Sequence, residues 1–322
     1  MHVFYFPYRY QNKIIQINTD ILRSIGCKVS PLADVYKWQN LTNLKKVVVL
    51  NWVEDQPYLK SYGFIKSWVY FTYYFLTILF CKLTCSEIVW IKHNFKPHAR
   101  DKNAWRYRLT TSLLKFVKAK QLAHEDYYDS TYLPHPLYLD DEELKMFSTK
   151  FVEPMDIKVA FFGHVKKYKG LHKTLLHWSK DIPLEIRGKF ESEEYKKQIL
   201  DTINSRNLNV IVKDGYVSDE DLETLLLQTT HVLLPHEDNS MISSGSFYHA
   251  ISYGCNVLAL ESDFSKHKAS KHRFVTTSDI EKLKLKCLER NYVPKQRVIL
   301  DSLAVYSRET LTTYWKNLLS VS

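Results

Sequence analysis

Short apolar runs alternate with helix-length stretches of mixed polarity through most of the chain, the pattern of βαβ units that build parallel sheets. In the front half, residues 3–6, 47–50 and 88–91 are compact apolar runs and read as strands. Between them, residues 12–25 end at Gly26 in the manner of a glycine-capped helix, and residues 64–83 read as a long aromatic-rich helix. The pattern breaks at Thr131-Tyr132-Leu133-Pro134-His135-Pro136, and the acidic, polar stretch 140–150 reads as a linker. It restarts where Ile157-Lys158-Val159-Ala160-Phe161-Phe162 runs into Gly163, with further strands expected at residues 184–186, 210–212, 231–234 and 256–260. Ser218-x-x-Asp221 has the spacing of a capping box opening a helix over 219–228.

At 322 residues the chain exceeds the roughly 250–300 that a single core supports. Two α/β domains are therefore expected, residues 1–150 and residues 151–322, with the last helix packing back on the first. Two Rossmann-like halves make a cleft between them the natural site. With 45% hydrophobic and 25% charged residues, and only 8 Gly and 10 Pro, the composition is globular and excludes a disordered or low-complexity chain. The five cysteines (Cys27, Cys81, Cys85, Cys255, Cys287) are odd in number and lack Cys-x-x-Cys spacing, which argues against a disulfide framework or zinc knuckle and for a reducing, cytoplasmic setting.

Charge changes the picture further. The net balance is +10, and the front 150 residues hold 21 Lys+Arg against 13 Asp+Glu, while the rest hold 24 against 22. A basic front half suits an acidic partner: anionic lipid headgroups, a pyrophosphate-linked substrate or nucleic acid. No RNP, zinc-finger or helix-turn-helix signature accompanies it, so nucleic acid is not expected. The opening His2-Val3-Phe4-Tyr5-Phe6-Pro7 does not read as a signal peptide. Residues 67–81 are uncharged between Lys66 and Lys82, a run of 15, short of the roughly 17–25 that a spanning helix needs. Its aromatics and flanking lysines suit a buried core helix first, and one lying at the inner leaflet of an anionic membrane second.

Three stretches in order resemble GT-B glycosyltransferases of the kind that build bacterial surface polysaccharides, similar to glycosyltransferase family 4 and related families. They are Phe161-Phe162-Gly163-His164-Val165-Lys166-Lys167-Tyr168-Lys169-Gly170, Leu233-Leu234-Pro235-His236-Glu237 through Ser243-Ser244-Gly245-Ser246 into Ala250, and Val89-Trp90-Ile91-Lys92-His93-Asn94-Phe95-Lys96-Pro97-His98. The resemblance implies an α/β GT-B fold, two Rossmann-like domains facing a cleft. It also implies metal-independent transfer of a hexose from a nucleotide sugar, UDP-linked or else GDP-linked, to a hydroxyl of a lipopolysaccharide, capsular or lipid-linked acceptor. No separate cofactor is implied.

In such a reaction a nucleoside diphosphate departs, so positive charge and backbone N–H groups are needed where negative charge develops. Lys166 and Lys169 follow a strand and the Gly163-His164 turn, and an ordinary solvated basic turn is the plain alternative. Ser243, Ser244, Gly245 and Ser246 precede a helix whose N-terminus can receive an anion, though serines there also simply cap. By resemblance, Arg187 and Lys189 flank Gly188 in a turn beside the diphosphate, and Tyr216 and Val217 stand where a backbone holds the base. The sequence departs from the family pattern at His164, where arginine is usual, and at His249 and Met241, where the glutamate pair is expected; Glu237 is a candidate substitute.

In the front half, His93 resembles the cleft histidine near the reacting centre. Glu54 and Asp55 follow another strand and join it as candidates to take the acceptor's proton, with surface acidity an equal alternative. Next in line are His98, Glu237 and Asp238. Asp219-Glu220-Asp221 spells the D-x-D of metal-dependent transferases but opens a helix behind Ser218, where acids favour the macrodipole, so it reads as capping and no metal is assigned. Two rival readings are an NAD-type dinucleotide-dependent enzyme, which lacks G-x-G-x-x-G after any strand, and a non-catalytic basic scaffold.

Overall fold

A computed structural model describes residues 1–8, 12–41, 45–58, 63–94, 105–150, 153–236 and 242–320. The chain divides into two units: Met1–Pro136 with Met241–Ser243 and Arg308–Ser322, and Leu137–Ser240 with Ser244–Ser307.

The first unit is a parallel six-stranded sheet. Along the chain run β1 (His2–Phe6), α1 (Lys13–Ser24), β2 (Lys28–Pro31), α2 (Trp38–Leu41), β3 (Lys46–Asn51), α3 (Phe64–Thr84), β4 (Glu87–Ile91), α4 (Trp105–Phe116), β5 (Lys120–Ala123) and β6 (Thr131–Tyr132). The strand order is β2-β1-β3-β4-β5-β6. Strands covered on both faces are continuously apolar, and Val47-Val48-Val49-Leu50 is buried throughout. Alternate side chains enter opposite cores. Val3, Tyr5, Val47, Val49, Val89 and Ile91 meet Ile15, Ile21 and Leu22 of α1. Phe4, Val48, Leu50, Ile88 and Trp90 meet α3 and α4.

Asn12 caps α1, its side chain accepting the Ile14 N–H at 3.0 Å, and Gly26 closes it at a φ of 84° that favours glycine. The long helix α3 buries one stripe, Ser67, Phe71, Tyr74, Ile78 and Cys81, spaced at helical intervals. It is thus a core helix on one side only. At 21 residues and mean hydropathy 1.3 it is long and apolar enough to cross a membrane by length and composition, yet a third of it is buried in the fold.

The second unit contains α5 (Asp141–Lys150), β7 (Val159–Phe162), α6 (Leu171–His177), β8 (Leu184–Arg187), α7 (Glu193–Ser205), β9 (Val210–Lys213), α8 (Asp219–Gln228), β10 (His231–Leu234), α9 (Gly245–Ser252), β11 (Asn256–Ala259), α10 (Asp263–Lys271), β12 (Val275–Thr277), α11 (Leu285–Arg290) and α12 (Lys295–Tyr306). Its strands are also parallel, in the order β12-β11-β10-β7-β8-β9. Counted within the unit that order is 3-2-1-4-5-6, the dinucleotide-fold arrangement, and it reverses between β7 and β10. The segment read as a linker is helical instead. Asp140 and Glu143 exchange capping bonds, each backbone N–H donating to the other's carboxylate at 2.8 Å, so its acidity marks a helix start. The last helix, α13 (Arg308–Leu319), belongs to the first unit. There the Trp315 indole N–H donates to Asn18 Oδ1 on α1 at 2.8 Å.

Candidate functional site

Ligands of open α/β sheets sit beyond the strand C-termini where strand order reverses. In the second unit that point lies between β7, which Gly163 follows, and β10, which Pro235-His236 follows. Gly163 adopts a φ of 90°, and its N–H donates to the Arg187 carbonyl at 3.0 Å. A single turn of 3-10 helix, Lys167–Lys169, follows. It brings the Lys169 side chain back over the strand end, so that a methyl on Gly163 would stand 3.8 Å from Nζ.

Lys169 is only 9% exposed, and its ammonium lies 5.3 Å from the Phe161 ring centre. Among the described residues it makes no hydrogen bond or ion pair. Burial, and secondarily the charge of Lys166, push its pKa down to about 8. Just beyond the end of β10, His236 is buried with Nδ1 lacking any partner among the described residues, and burial with the Lys169 charge holds it neutral. His164 is exposed; partial burial first, then Lys166, Lys169 and Lys189, lower its pKa. Lys169 is thus a buried cation beside the neutral His236 at the strand ends, an arrangement suited to an anion.

The remaining candidates separate. Arg187 is already engaged, donating to Glu185 at 2.6 Å and to the Asp221 carbonyl at 3.3 Å, and Lys213 shares Glu185 at 3.0 Å. Tyr216 is exposed and Val217 half-buried on the segment after β9. Ser244 is buried at the N-cap of α9 without capping through its side chain. Gly245 and Ser246 open that helix, and a methyl on Gly245 would come 3.1 Å from the Tyr138 hydroxyl. His249 is stacked on Tyr138 with ring centres 4.4 Å apart. Ser243 belongs to the first unit, where its hydroxyl donates to Glu125 at 2.9 Å. Ser218 caps α8 by accepting the Asp221 N–H at 3.1 Å, and the three acids lie in the first turn. Glu237, Asp238, Met241 and His98 lie outside the described residues.

In the first unit, order reverses between β1 and β3. The turn after β3 carries Trp52 at a φ of 51°. Glu54 is 1% exposed and accepts the Trp90 indole N–H at 3.1 Å. Burial, then the neighbouring Asp55, raises its pKa far above the carboxylate range. Asp55 is raised as well, by burial against a hydrogen bond from Asn94 to Oδ2 at 3.0 Å. Its Oδ1 has no partner among the described residues. His93 Nε2 lies 3.0 Å from Asn51 Oδ1, and its ring stacks on Trp52 at 4.0 Å. His93, Glu54 and Asp55 therefore lie beyond the C-terminal ends of the adjacent strands β3 and β4, bonded to Asn51, Trp90 and Asn94 respectively.

The sequence reading did not single out His124, Glu125 and His135 there. The His124 ring centre is 5.1 Å from that of His93 and 5.0 Å from that of His135. His124 Nδ1 meets the Leu133 carbonyl at 2.9 Å, and His135 Nδ1 meets that of Pro136 at 2.8 Å. His124-Glu125 follows β5 as His93-Asn94 follows β4, so the same rule about strand ends would have found them.

No protein-family model and no curated protein matches the sequence. Solved structures do match the fold. AviGT4, a glycosyltransferase involved in avilamycin A biosynthesis, superposes with a TM-score of 0.59 at 12% identity, covering 99% of this chain and 96% of its own. The E. coli structure described as trehalose-6-phosphate bound with UDP-2-fluoro glucose gives 0.59 at 8% identity, covering 99% of both chains. The N-terminal domain of Candida albicans trehalose-6-phosphate phosphatase gives 0.58 at 10%, over 100% of this chain and 96% of that one. This chain has the GT-B fold, as its two parallel six-stranded sheets indicate.

Proposed function

We propose that the protein transfers a hexose from a nucleotide sugar, UDP-linked or alternatively GDP-linked, to a hydroxyl of a bacterial glycan or lipid-linked acceptor, without a metal ion. The observation that carries this reading is the Lys169 ammonium, buried beside the Gly163 turn at the switch point of the second unit without a counter-charge among the described residues. A buried lone cation is costly. A ligand that brings a diphosphate there offsets the cost and takes up a charge-assisted hydrogen bond. As the donor bond breaks, negative charge grows on the departing diphosphate, and an already positioned ammonium stabilises that state more than the ground state. The start of α9, with Ser244, Gly245 and Ser246, supplies amide donors to the same anion.

In the first unit Asp55 is the base favoured here. Its unpartnered Oδ1 and raised pKa suit a group that is ionised at neutral pH yet basic enough to take the acceptor hydroxyl's proton. Glu54, wholly buried and held protonated, stays neutral and keeps Trp90 and the turn in place. His93, stacked on Trp52, orients the substrate or shares the proton. With Arg187 engaged by Glu185, Lys169, on the turn after β7, is the main phosphate ligand.

The deciding experiment is calorimetry of the intact chain with UDP, GDP, UMP and NAD. The reading expects a nucleoside diphosphate to bind more tightly than the monophosphate or NAD, with the difference lost in Lys169→Gln. NAD binding in preference to both diphosphates would overturn it in favour of a dinucleotide-dependent enzyme.

A further inference from the structure

The face of the first unit that carries α3 and α4 departs from an ordinary soluble surface. Both helices pack on the same side of the sheet, through Tyr74, Ile78 and Cys81 of α3 and Leu113 and Leu114 of α4. The opposite side of α3 is apolar too. Ile65, Val69, Leu76 and Leu83 recur at helical spacing along its outer line and are 78%, 61%, 57% and 86% exposed. On α4, Phe116 is 80% exposed and Leu109 is also exposed. Such a contiguous outward apolar stripe on a charged protein marks an interaction surface.

Its electrostatics select the partner. Neither α3 nor α4 contains an acidic residue, whereas Lys66, Lys82, Arg108 and Lys115 are basic and exposed on them. Trp68 and Trp105, whose rings meet at 5.4 Å, stand at the start of both helices. An outward apolar line with exposed cations and indoles beside it suits a helix lying in the plane of an anionic bilayer surface, where aromatic rings sit at headgroup depth and lysines reach phosphates. A protein partner would need its own acids aligned with this rim; a bilayer supplies both layers at once. The buried stripe of α3, fixed to the sheet, keeps the helix from spanning.

We propose that α3 and α4 form a docking face on which the protein lies reversibly against anionic membrane, α3 parallel to the surface. The inference is independent of the donor chemistry. It is tested by flotation of the full chain with vesicles of phosphatidylcholine containing a quarter phosphatidylglycerol, and with phosphatidylcholine alone. Binding to the anionic vesicles is expected, with release in high salt as the Debye length shrinks to about 3 Å at 1 M. Val69→Asp with Leu76→Asp should cut vesicle binding at least tenfold while the melting temperature and UDP affinity stay unchanged. Lys82→Gln with Lys115→Gln, which spares the apolar stripe, should weaken binding to anionic vesicles roughly tenfold or more. The proposal is overturned by no flotation, by equal binding to neutral vesicles, or by undiminished binding of the lysine variant. Concentration-dependent dimers that Val69→Asp with Leu76→Asp abolishes, without vesicle binding, would instead make the face a contact between copies.

Discussion

Gly188 lies against Gly163 so closely that a methyl on it would come 1.9 Å from the Gly163 carbonyl oxygen and 2.7 Å from its carbonyl carbon. The turns after β7 and β8 are thus in backbone contact, and Lys169 rests on the first of them. Gly188→Ala must push the Gly163 turn away, because no side chain is available to yield. We expect a loss of ~2 kcal/mol or more in stability, read as a lower denaturant midpoint, together with weaker UDP binding. Wild-type values of both would mean that the contact relaxes freely.

Lys169→Gln should weaken UDP binding more than UMP binding, by ~10-fold or more, since a charge-assisted hydrogen bond is worth ~1.5–3 kcal/mol. The pH dependence has a definite sign. With its pKa at about 8 the free ammonium is charged below that value and neutral above it. UDP affinity should therefore fall as pH rises from 7.5 towards 9.5, and the fall should be absent in Lys169→Gln. Parallel pH profiles for the two proteins would remove Lys169 from the site.

Asp55→Asn should lower kcat by ~10²–10⁴, the reach of a general base, with little change in donor KM. Glu54→Gln, which copies a protonated glutamate, should keep kcat within about threefold. Because burial raises the Asp55 carboxyl to about 6, kcat should decline as pH falls through that value. The reverse ranking, with Glu54→Gln inactive and Asp55→Asn active, would exchange their roles. His93→Ala should lower kcat as well, and circular dichroism must show each variant folded.

Activity should persist in excess EDTA, since the proposed diphosphate ligands are an ammonium and backbone amides, and the acids 219–221 are committed to the first turn of α8. Loss of turnover with chelator that manganese or magnesium restores would return a metal to the reaction.

Local pattern was enough to reveal the parallel architecture. The run Val47-Val48-Val49-Leu50, the Gly26 stop and the Ser218 cap each depend on a few adjacent residues, and periodicity and capping are properties of neighbours in sequence. The Gly163 turn with Lys169 was visible for the same reason. Tertiary structure alone decided what that lysine meets, because its isolation from counter-charge depends on Phe161 beneath it and on His236 just past the end of β10. It likewise gave Ser243 to Glu125, a pairing between residues far apart in sequence that no local pattern contains. The aromatic composition of α3 marked an unusual helix, but hydropathy does not distinguish a buried side from an exposed one. Only packing against the sheet showed that Phe71 and Tyr74 face inward while Ile65, Val69 and Leu83 face water.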